Sequence, residues 1–151
     1  MIKTFKYRIY PTKRQQKILQ ATLDECRWLY NQFLEQRKNE WETSKRGVSQ
    51  FEQNMFIPAM KQSRESLAFV YSQVLQDVAV RIDKAFKAFF RRVKEGEKPG
   101  YPRFKGYHRY DSFTYPQAGW ELKADAIKLS KIGTIRMKRH RSITGLSLIH
   151  I

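Results

Sequence analysis

Residues 72–93, SQVLQDVAVRIDKAFKAFFRRV, carry the clearest structural signal in the sequence. Their apolar side chains recur at steps of three and four residues, which places them on one face of an α-helix. Ser72 is expected to cap this helix and Gly96 to end it. The pattern predicts a helix that buries one stripe of side chains, formed by Val74, Leu75, Val78, Ile82, Ala85, Phe86, Phe89, Phe90 and Val93.

Two more helices are predicted on the N-terminal side of this stretch. Thr12 with Gln15, and Ser49 with Glu52, have the spacing of capping boxes. The first box begins a helix that extends to about residue 41, and the second begins a shorter one that extends to about residue 63. Pro58 is expected to weaken or kink the shorter helix. The pattern therefore predicts a three-helix block.

Extended segments lie on both sides of the helices. Residues 2–10 alternate between apolar and polar side chains, and further short strands are predicted at 112–115, 120–122, 126–130 and 134–138. The last two are joined by Lys131-Ile132-Gly133, a typical hairpin turn. A lone strand is not stable, so residues 2–10 are expected to pair with strands after residue 110. The sequence predicts an α+β fold with helices inserted into a β-module, divided as 1–11, 12–96 and 97–145.

The composition favours an anionic partner. Lys and Arg number 30 against 14 Asp and Glu, which gives a net charge of +16, and 41% of the residues are hydrophobic. Such a chain can fold, and its charge points to nucleic acid or an anionic membrane surface. No apolar run approaches the ~20 residues of a membrane helix, and no signal peptide is apparent, so an intracellular protein is expected. Cys26, the single cysteine, is interpreted as a core residue.

No catalytic machinery is recognised in the sequence. A divalent-metal nuclease needs clustered carboxylates, whereas the acids here are scattered, and the three histidines have no ligand spacing. Phosphate-loop, nucleophile-elbow and zinc-protease motifs are absent from the sequence. Asp24, Glu25, Asp77 and Asp83 are expected to be solvated partners of neighbouring cations. The sequence therefore predicts neither catalysis nor a metal site in this chain.

Two basic stretches are candidate nucleic-acid contacts. Residues 101–110 interleave aromatic rings with cations, which suits stacking on bases and pairing with phosphates, or else a basic linker whose rings fill the core. Residues 136–141 would place Arg136 and Lys138 on one face of a strand as a phosphate ladder, or else form a solvated edge strand. The predicted phosphate contacts are Lys13, Arg14, Arg91, Arg92, Arg103, Lys105, Arg109, Arg136, Lys138, Arg139, His140 and Arg141.

A second set of residues is predicted to stack on or read bases. Gln73 and Gln76 lie in the first turn of the third predicted helix, and a Gln side chain can bond adenine in the major groove. Two solvent-facing glutamines would give the same sequence. The full set is Gln73, Gln76, Tyr101, Phe104, Thr114 and Tyr115.

Several ordered blocks resemble the TnpB (OrfB) proteins of insertion sequences. They are Phe5–Thr12, Cys26–Asn31, Ser72–Asp77, Lys84–Arg92, Gly100–Lys105, Ser112–Thr114 and Lys128–Gly133. The resemblance implies an RNA-guided DNA endonuclease whose N-terminal half is a wedge-type antiparallel β-barrel, incomplete here, with an inserted helical recognition domain that resembles a helix-turn-helix. It implies guide RNA and target-adjacent double-stranded DNA as partners in a prokaryotic cytoplasm. The Mg²⁺-dependent RuvC-like domain and its zinc ribbon would follow these residues, so no catalytic or metal-binding residue is carried over.

Other interpretations stay open on the sequence alone. The chain could be a standalone helix-turn-helix DNA-binding protein of a mobile element, or a basic RNA-packaging or ribosome-associated module. Residues 146–151, Leu-Ser-Leu-Ile-His-Ile, match what a common sequencing adapter encodes in this frame, and the alternative is a genuine edge strand. A cut reading frame is the expectation here.

Overall fold

Three helices stand between the first strand and all the others. A computed structural model describes residues 3–141 and 148–151. The described residues form an α+β structure with a short 3-10 turn at Glu65–Phe69 between the second and third helices. The elements are β1 Ile9–Tyr10, α1 Lys13–Ser44, α2 Gln50–Ser63, α3 Ser72–Lys94, β2 Thr114–Tyr115, β3 Trp120–Leu122, β4 Ala126–Leu129, β5 Gly133–Met137 and β6 Ile149–His150.

The strands form two open antiparallel sheets. One has the order β1-β5-β4-β3, and the other pairs β2 with β6. Ile9 pairs with Met137 and Tyr10 with Arg136, which confirms that the N-terminal residues pair with strands after residue 110. The predicted strand over residues 2–10 is wrong in extent, since regular pairing is confined to two residues. Its partner β5 ends at Met137, and one further bond, from the Lys138 amide to the Arg8 carbonyl (3.0 Å), closes the ladder.

The first two helix starts are confirmed and the third is corrected. Thr12 Oγ1 accepts from the Gln15 amide, and Gln15 Oε1 accepts from the Thr12 amide, which completes the capping box of α1. Ser49 likewise accepts from the Glu52 amide, and α2 continues through Pro58. Ser72 does not cap α3. It is the first helical residue after Tyr71, and its hydroxyl accepts instead from Lys61 Nζ at 2.9 Å.

The core lies between α1, α3 and the strands. Cys26 is fully buried there, and burial raises the pKa of its thiol to about 12, so this cysteine packs as an apolar residue. The stripe on α3 is buried only as far as Phe86. Phe90 and Val93 are 60% and 51% exposed, because the last turns of α3 extend past the packed core. Their prediction as core residues is wrong.

Gly119 occupies a position that only glycine fits. Its φ is +87°, and an added Cβ would lie 2.7 Å from Cζ of Tyr71. The Gly119→Ala substitution is expected to lower the free energy of unfolding by about 1–3 kcal/mol through backbone strain and overpacking. Urea unfolding followed by circular dichroism measures this change. Gly47→Ala is the matched control, because an added Cβ there meets nothing within 4 Å. Equal effects at the two positions would contradict the prediction.

Candidate nucleic-acid interface

The outer face of the four-stranded sheet is rich in cations. On β5, Ile135 and Met137 are buried, and Arg136 and the following Lys138 are exposed on the opposite face. The predicted sharing of one face by Arg136 and Lys138 is therefore confirmed. In the strand register, Tyr10 lies opposite Arg136. Lys128 of β4 faces the same side of the sheet, and Arg8 lies beside Lys138. We call this surface the sheet face: Arg8, Tyr10, Lys128, Arg136 and Lys138.

The spacing of this sheet face suits a phosphate backbone. Residues two apart on a strand lie about 7 Å apart on one face, which is close to twice the ~3.4 Å rise per phosphate along one DNA strand. Among the described strand residues, one acid shares this face, Glu121, which is paired with Lys128 in the register. The arrangement therefore presents cations in a row with little internal neutralisation.

Residues 139–141 extend the cationic surface and are tied to the N-terminal segment. The Tyr7 hydroxyl donates to the Arg141 carbonyl at 3.0 Å, and the Tyr7 ring lies 5.0 Å from that of His140. His140 and Arg141 are exposed, whereas Arg139 is half-buried and reaches the Lys123 carbonyl at 3.4 Å. The structure thus brings this predicted stretch against the residues that precede β1.

The first turn of α1 adjoins the same sheet. Gln15 Nε2 donates to the Thr134 carbonyl at 2.6 Å, which places Lys13 and Arg14 near the start of β5. Both cations are exposed, and the first turn of α1 contains no acid. Cations at a helix N-terminus oppose the helix dipole, so an external anion would stabilise this arrangement.

The predicted cations on α3 form a separate patch. Arg91 and Arg92 are exposed in the last turn of α3. α3 packs mainly against α1, α2 and β2, and β2 does not belong to the four-stranded sheet. We therefore treat these two arginines separately from the sheet face.

The basic loop between α3 and β2 is anchored by one asparagine of α1. The Lys105 amide donates to Asn31 Oδ1 at 2.8 Å, and Asn31 Nδ2 donates to the Lys105 carbonyl at 3.0 Å. Lys105 itself is half-buried, with its Nζ 5.7 Å from the centroid of the Tyr30 ring, so its charge is partly engaged within the protein. Arg103 and Arg109 are exposed.

A second anchor holds the end of the loop. Arg81 of α3 pairs with Asp77 (3.0 Å) and donates to the Ser112 carbonyl (2.7 Å) and to Thr114 Oγ1 (3.0 Å). Its guanidinium also lies 5.4 Å from the centroid of the Tyr110 ring. Sequence reasoning missed both anchors. Asn31 was the available signal for the first anchor, because asparagine is a poor residue for a helix interior.

The aromatic residues of this loop were expected either to stack on bases or to fill the core, and each expectation fits some of the rings. Tyr110 is buried at 7% exposure, and Tyr101 packs edge-on against Phe86 and Phe89. Phe104 and Tyr107 remain 54% and 67% exposed. The rings at the two ends of the stretch therefore pack against the protein, and the rings in its middle face outward.

Two of the predicted base-contacting residues are not at the surface. Tyr115 is 1% exposed, stacks on Tyr71 and donates to the Ser130 carbonyl at 2.8 Å. Thr114 is 8% exposed, with its hydroxyl bonded to Arg81. Their burial corrects the prediction that these two residues contact bases: Arg81 of α3 covers Thr114, and Tyr71, just before α3, covers Tyr115. Gln73 is half-buried and accepts from the Ala118 amide (3.1 Å). 

Other features of the described residues bear on chemistry. Within residues 3–141 and 148–151, no group of three or more His, Cys, Asp or Glu side chains could hold a metal ion. In the same residues, no helix is long and apolar enough to cross a membrane. Gln76 is exposed on the first turns of α3.

Comparisons with known proteins give one matching family model and two similar proteins. A family model, the OrfB_IS605 helix-turn-helix domain, matches residues 1–46. A relative in Escherichia coli (strain K12), "Putative RNA-guided DNA endonuclease InsQ", is 27% identical over 149 residues, covering 96% of this chain and 36% of the relative. A relative in Streptomyces pristinaespiralis, "Putative RNA-guided DNA endonuclease", is 35% identical over 106 residues, covering 68% of this chain and 25% of the relative.

The matched helix-turn-helix segment has an unexpected local structure. Within residues 3–46, the structure has β1 followed by α1, a single uninterrupted helix of 32 residues. The chain spans about a third of the length of the relative from E. coli and a quarter of the other. The matched N-terminal residues and the similarity to the two relatives agree with the resemblance of the ordered sequence blocks to TnpB (OrfB) proteins of insertion sequences.

Proposed function

We propose that this chain is a nucleic-acid-binding part of an RNA-guided DNA endonuclease, which holds the scaffold of a guide RNA and target-adjacent duplex DNA. The observation that carries the proposal is the sheet face, where Lys128 of β4, Arg136 of β5 and the flanking residues Arg8 and Lys138 share one exposed surface. Rows of Lys and Arg neutralise phosphates and so supply most of the affinity of non-specific nucleic-acid binding. The names of the two relatives support this assignment.

The proposed architecture follows the family. The open sheet of β1, β3, β4 and β5 would be part of a wedge-type barrel, and α1–α3 would be the recognition domain inserted into it. The insertion proposal is supported by β1 and β5, which pair with each other although all three helices lie between them in sequence.

The proposal assigns nucleic-acid binding, and not DNA cleavage, to this chain. Two-metal cleavage of DNA requires carboxylates that hold Mg²⁺, and a zinc ribbon requires four cysteines. The described acids do not converge, and Cys26 is the single cysteine of the sequence, so these residues do not fit either group. Any Mg²⁺ or Zn²⁺ of the family would be held by other residues.

A standalone helix-turn-helix protein is less well supported by the geometry. Recognition by that motif needs a short helix set in the major groove by a preceding turn. In residues 13–44 the helix is continuous, so no turn separates a recognition helix from a supporting one.

The proposal is tested by the salt dependence of binding. We expect the chain to bind a labelled 20-bp duplex with log K falling linearly against log salt, with a slope of about −4 if the four sheet-face cations each contact one phosphate. Fluorescence anisotropy between 50 and 300 mM salt measures the slope. A chain that binds neither duplex DNA nor RNA, or binds with no salt dependence, would contradict the proposal.

A further inference from the structure

Two aromatic rings in the loop after α3 are more than half exposed. Phe104 and Tyr107 are 54% and 67% exposed, whereas Tyr110 from the same stretch is buried and Tyr101, at 41% exposure, packs edge-on against Phe86. Leaving large apolar side chains in water forgoes about 1.5–3 kcal/mol each relative to full burial. A folded loop that keeps two rings outward therefore presents surface that a ligand could cover.

Hydrogen bonds constrain the loop around Tyr107. Asn31 fixes the backbone at Lys105 with two hydrogen bonds, as a neighbouring strand would. The Arg109 amide then closes a turn onto the Gly106 carbonyl at 3.1 Å, and His108 takes a φ of +62°, which is unfavourable for a residue with a side chain. Because these anchors lie on both sides of Tyr107, binding would cost little additional ordering of the loop.

Cations flank the two rings. Arg103 precedes Phe104, Arg109 follows Tyr107, and both are exposed with no ion pair to a described acid. A cationic protein surface would be repelled here, whereas a strand with phosphates and accessible base faces satisfies rings and charges together. A duplex hides its base faces in the stack, so the rings would add nothing to duplex binding.

We infer that the outward loop of residues 103–109 binds unpaired bases, with Phe104 and Tyr107 as stacking surfaces, Arg103 and Arg109 as phosphate contacts, and Asn31 as a positioning residue. The inference rests on the proposed function and assigns the binding of single-stranded nucleic acid to this loop. Unpaired RNA and unpaired DNA share this chemistry, and the experiment separates them.

The test measures anisotropy of labelled U12 RNA, dT12 DNA and a 12-bp DNA duplex with the 151-residue chain at 0.1 M salt. Phe104→Leu and Tyr107→Leu are each expected to weaken single-strand binding about 5- to 150-fold, with duplex binding changed less than twofold and the salt slope unchanged. Arg103→Gln is expected to lower the single-strand slope by about 0.7. Whichever strand shows the larger losses is the ligand of the site.

Asn31→Ala distinguishes positioning from general stability. It is expected to weaken single-strand binding at least fivefold while duplex binding stays within twofold, because the sheet face does not depend on the loop. Phe51→Leu is the matched control, since that ring is 72% exposed on α2, away from the loop in sequence.

Three results would overturn the inference: unchanged single-strand affinity in both ring variants, equal losses on the duplex, or an equal loss in Phe51→Leu. Failure of the proposed function is a different result, namely a wild-type chain that binds none of the three probes.

Discussion

Replacement of Arg37 by methionine is expected to lower the free energy of unfolding by about 3 kcal/mol. Arg37 is 9% exposed on α1, yet its guanidinium joins all three helices. Its Nε donates to Gln53 Oε1 of α2 at 2.9 Å, its Nη2 pairs with Asp83 Oδ1 of α3 at 3.1 Å, and it lies 5.1 Å from the centroid of the Phe86 ring. Methionine would keep much of the volume but remove the groups that donate to Asp83 Oδ1 and Gln53 Oε1. Urea unfolding at pH 7 measures the loss.

Arg46→Met is the matched control for that substitution. Arg46 also pairs with two carboxylates, Glu40 and Glu52, but its side chain is 55% exposed. Exposed pairs contribute at most about 1 kcal/mol. A loss in the Arg37 variant no larger than in the Arg46 variant would show that the buried network does not hold the helices together.

The pH dependence of stability gives an independent measurement on the same network. Burial alone would raise the pKa of Asp83, but the hydrogen bonds and charges of Lys87 and Arg37 outweigh burial and lower it. A carboxyl whose pKa is lower in the folded state stabilises the fold above its unfolded pKa, and this contribution disappears as the pH falls through the folded value. The stability lost by the wild type below about pH 4 should therefore be smaller in Asp83→Asn.

Local sequence rules predicted where helices and strands begin and end better than they predicted which elements pack against them. Thr12 with Gln15 begins α1 as the spacing required, and β3 spans the predicted residues 120–122, because caps and alternation act over a few neighbouring residues. The short β1 was overestimated because its length depends on a partner more than 120 residues away. Alternation states which side chains share a face, but not which face another element covers.

The same limit explains the outcome for the candidate site. Arg136 and Lys138 were correctly placed on one face, but the covering of Thr114 by Arg81 and of Tyr115 by Tyr71 could not be derived from the strand itself. Asp83 and Glu25 were expected to be solvated, whereas their side chains are 14% and 13% exposed and pair with Arg37 and Arg64. A helical sequence does not specify which polar residues meet at a junction of helices, since that depends on how distant segments pack.

Reversal of two charges on the sheet face is expected to abolish most duplex binding. The double variant Arg136→Glu/Lys138→Glu should bind a 20-bp DNA duplex about 100-fold more weakly at 0.1 M salt, because each lost phosphate contact costs about 8-fold there and the new carboxylates repel the backbone. The magnitude of the slope of log K against log salt should fall by about 2. Both side chains are exposed, so the fold should be retained, which circular dichroism can verify.

The control must separate a defined surface from net charge alone. Lys38→Glu/Lys84→Glu makes the same change, from +16 to +12, at two exposed positions on α1 and α3 that lie outside the sheet face. Long-range attraction depends on total charge, whereas counterion release depends on the contacts actually made with phosphates. The sheet-face variant should therefore lose both affinity and slope, and the helix variant should keep its slope. If the two variants lost affinity and slope equally, duplex binding would follow from the overall charge of the chain, and the sheet face would not be its binding surface.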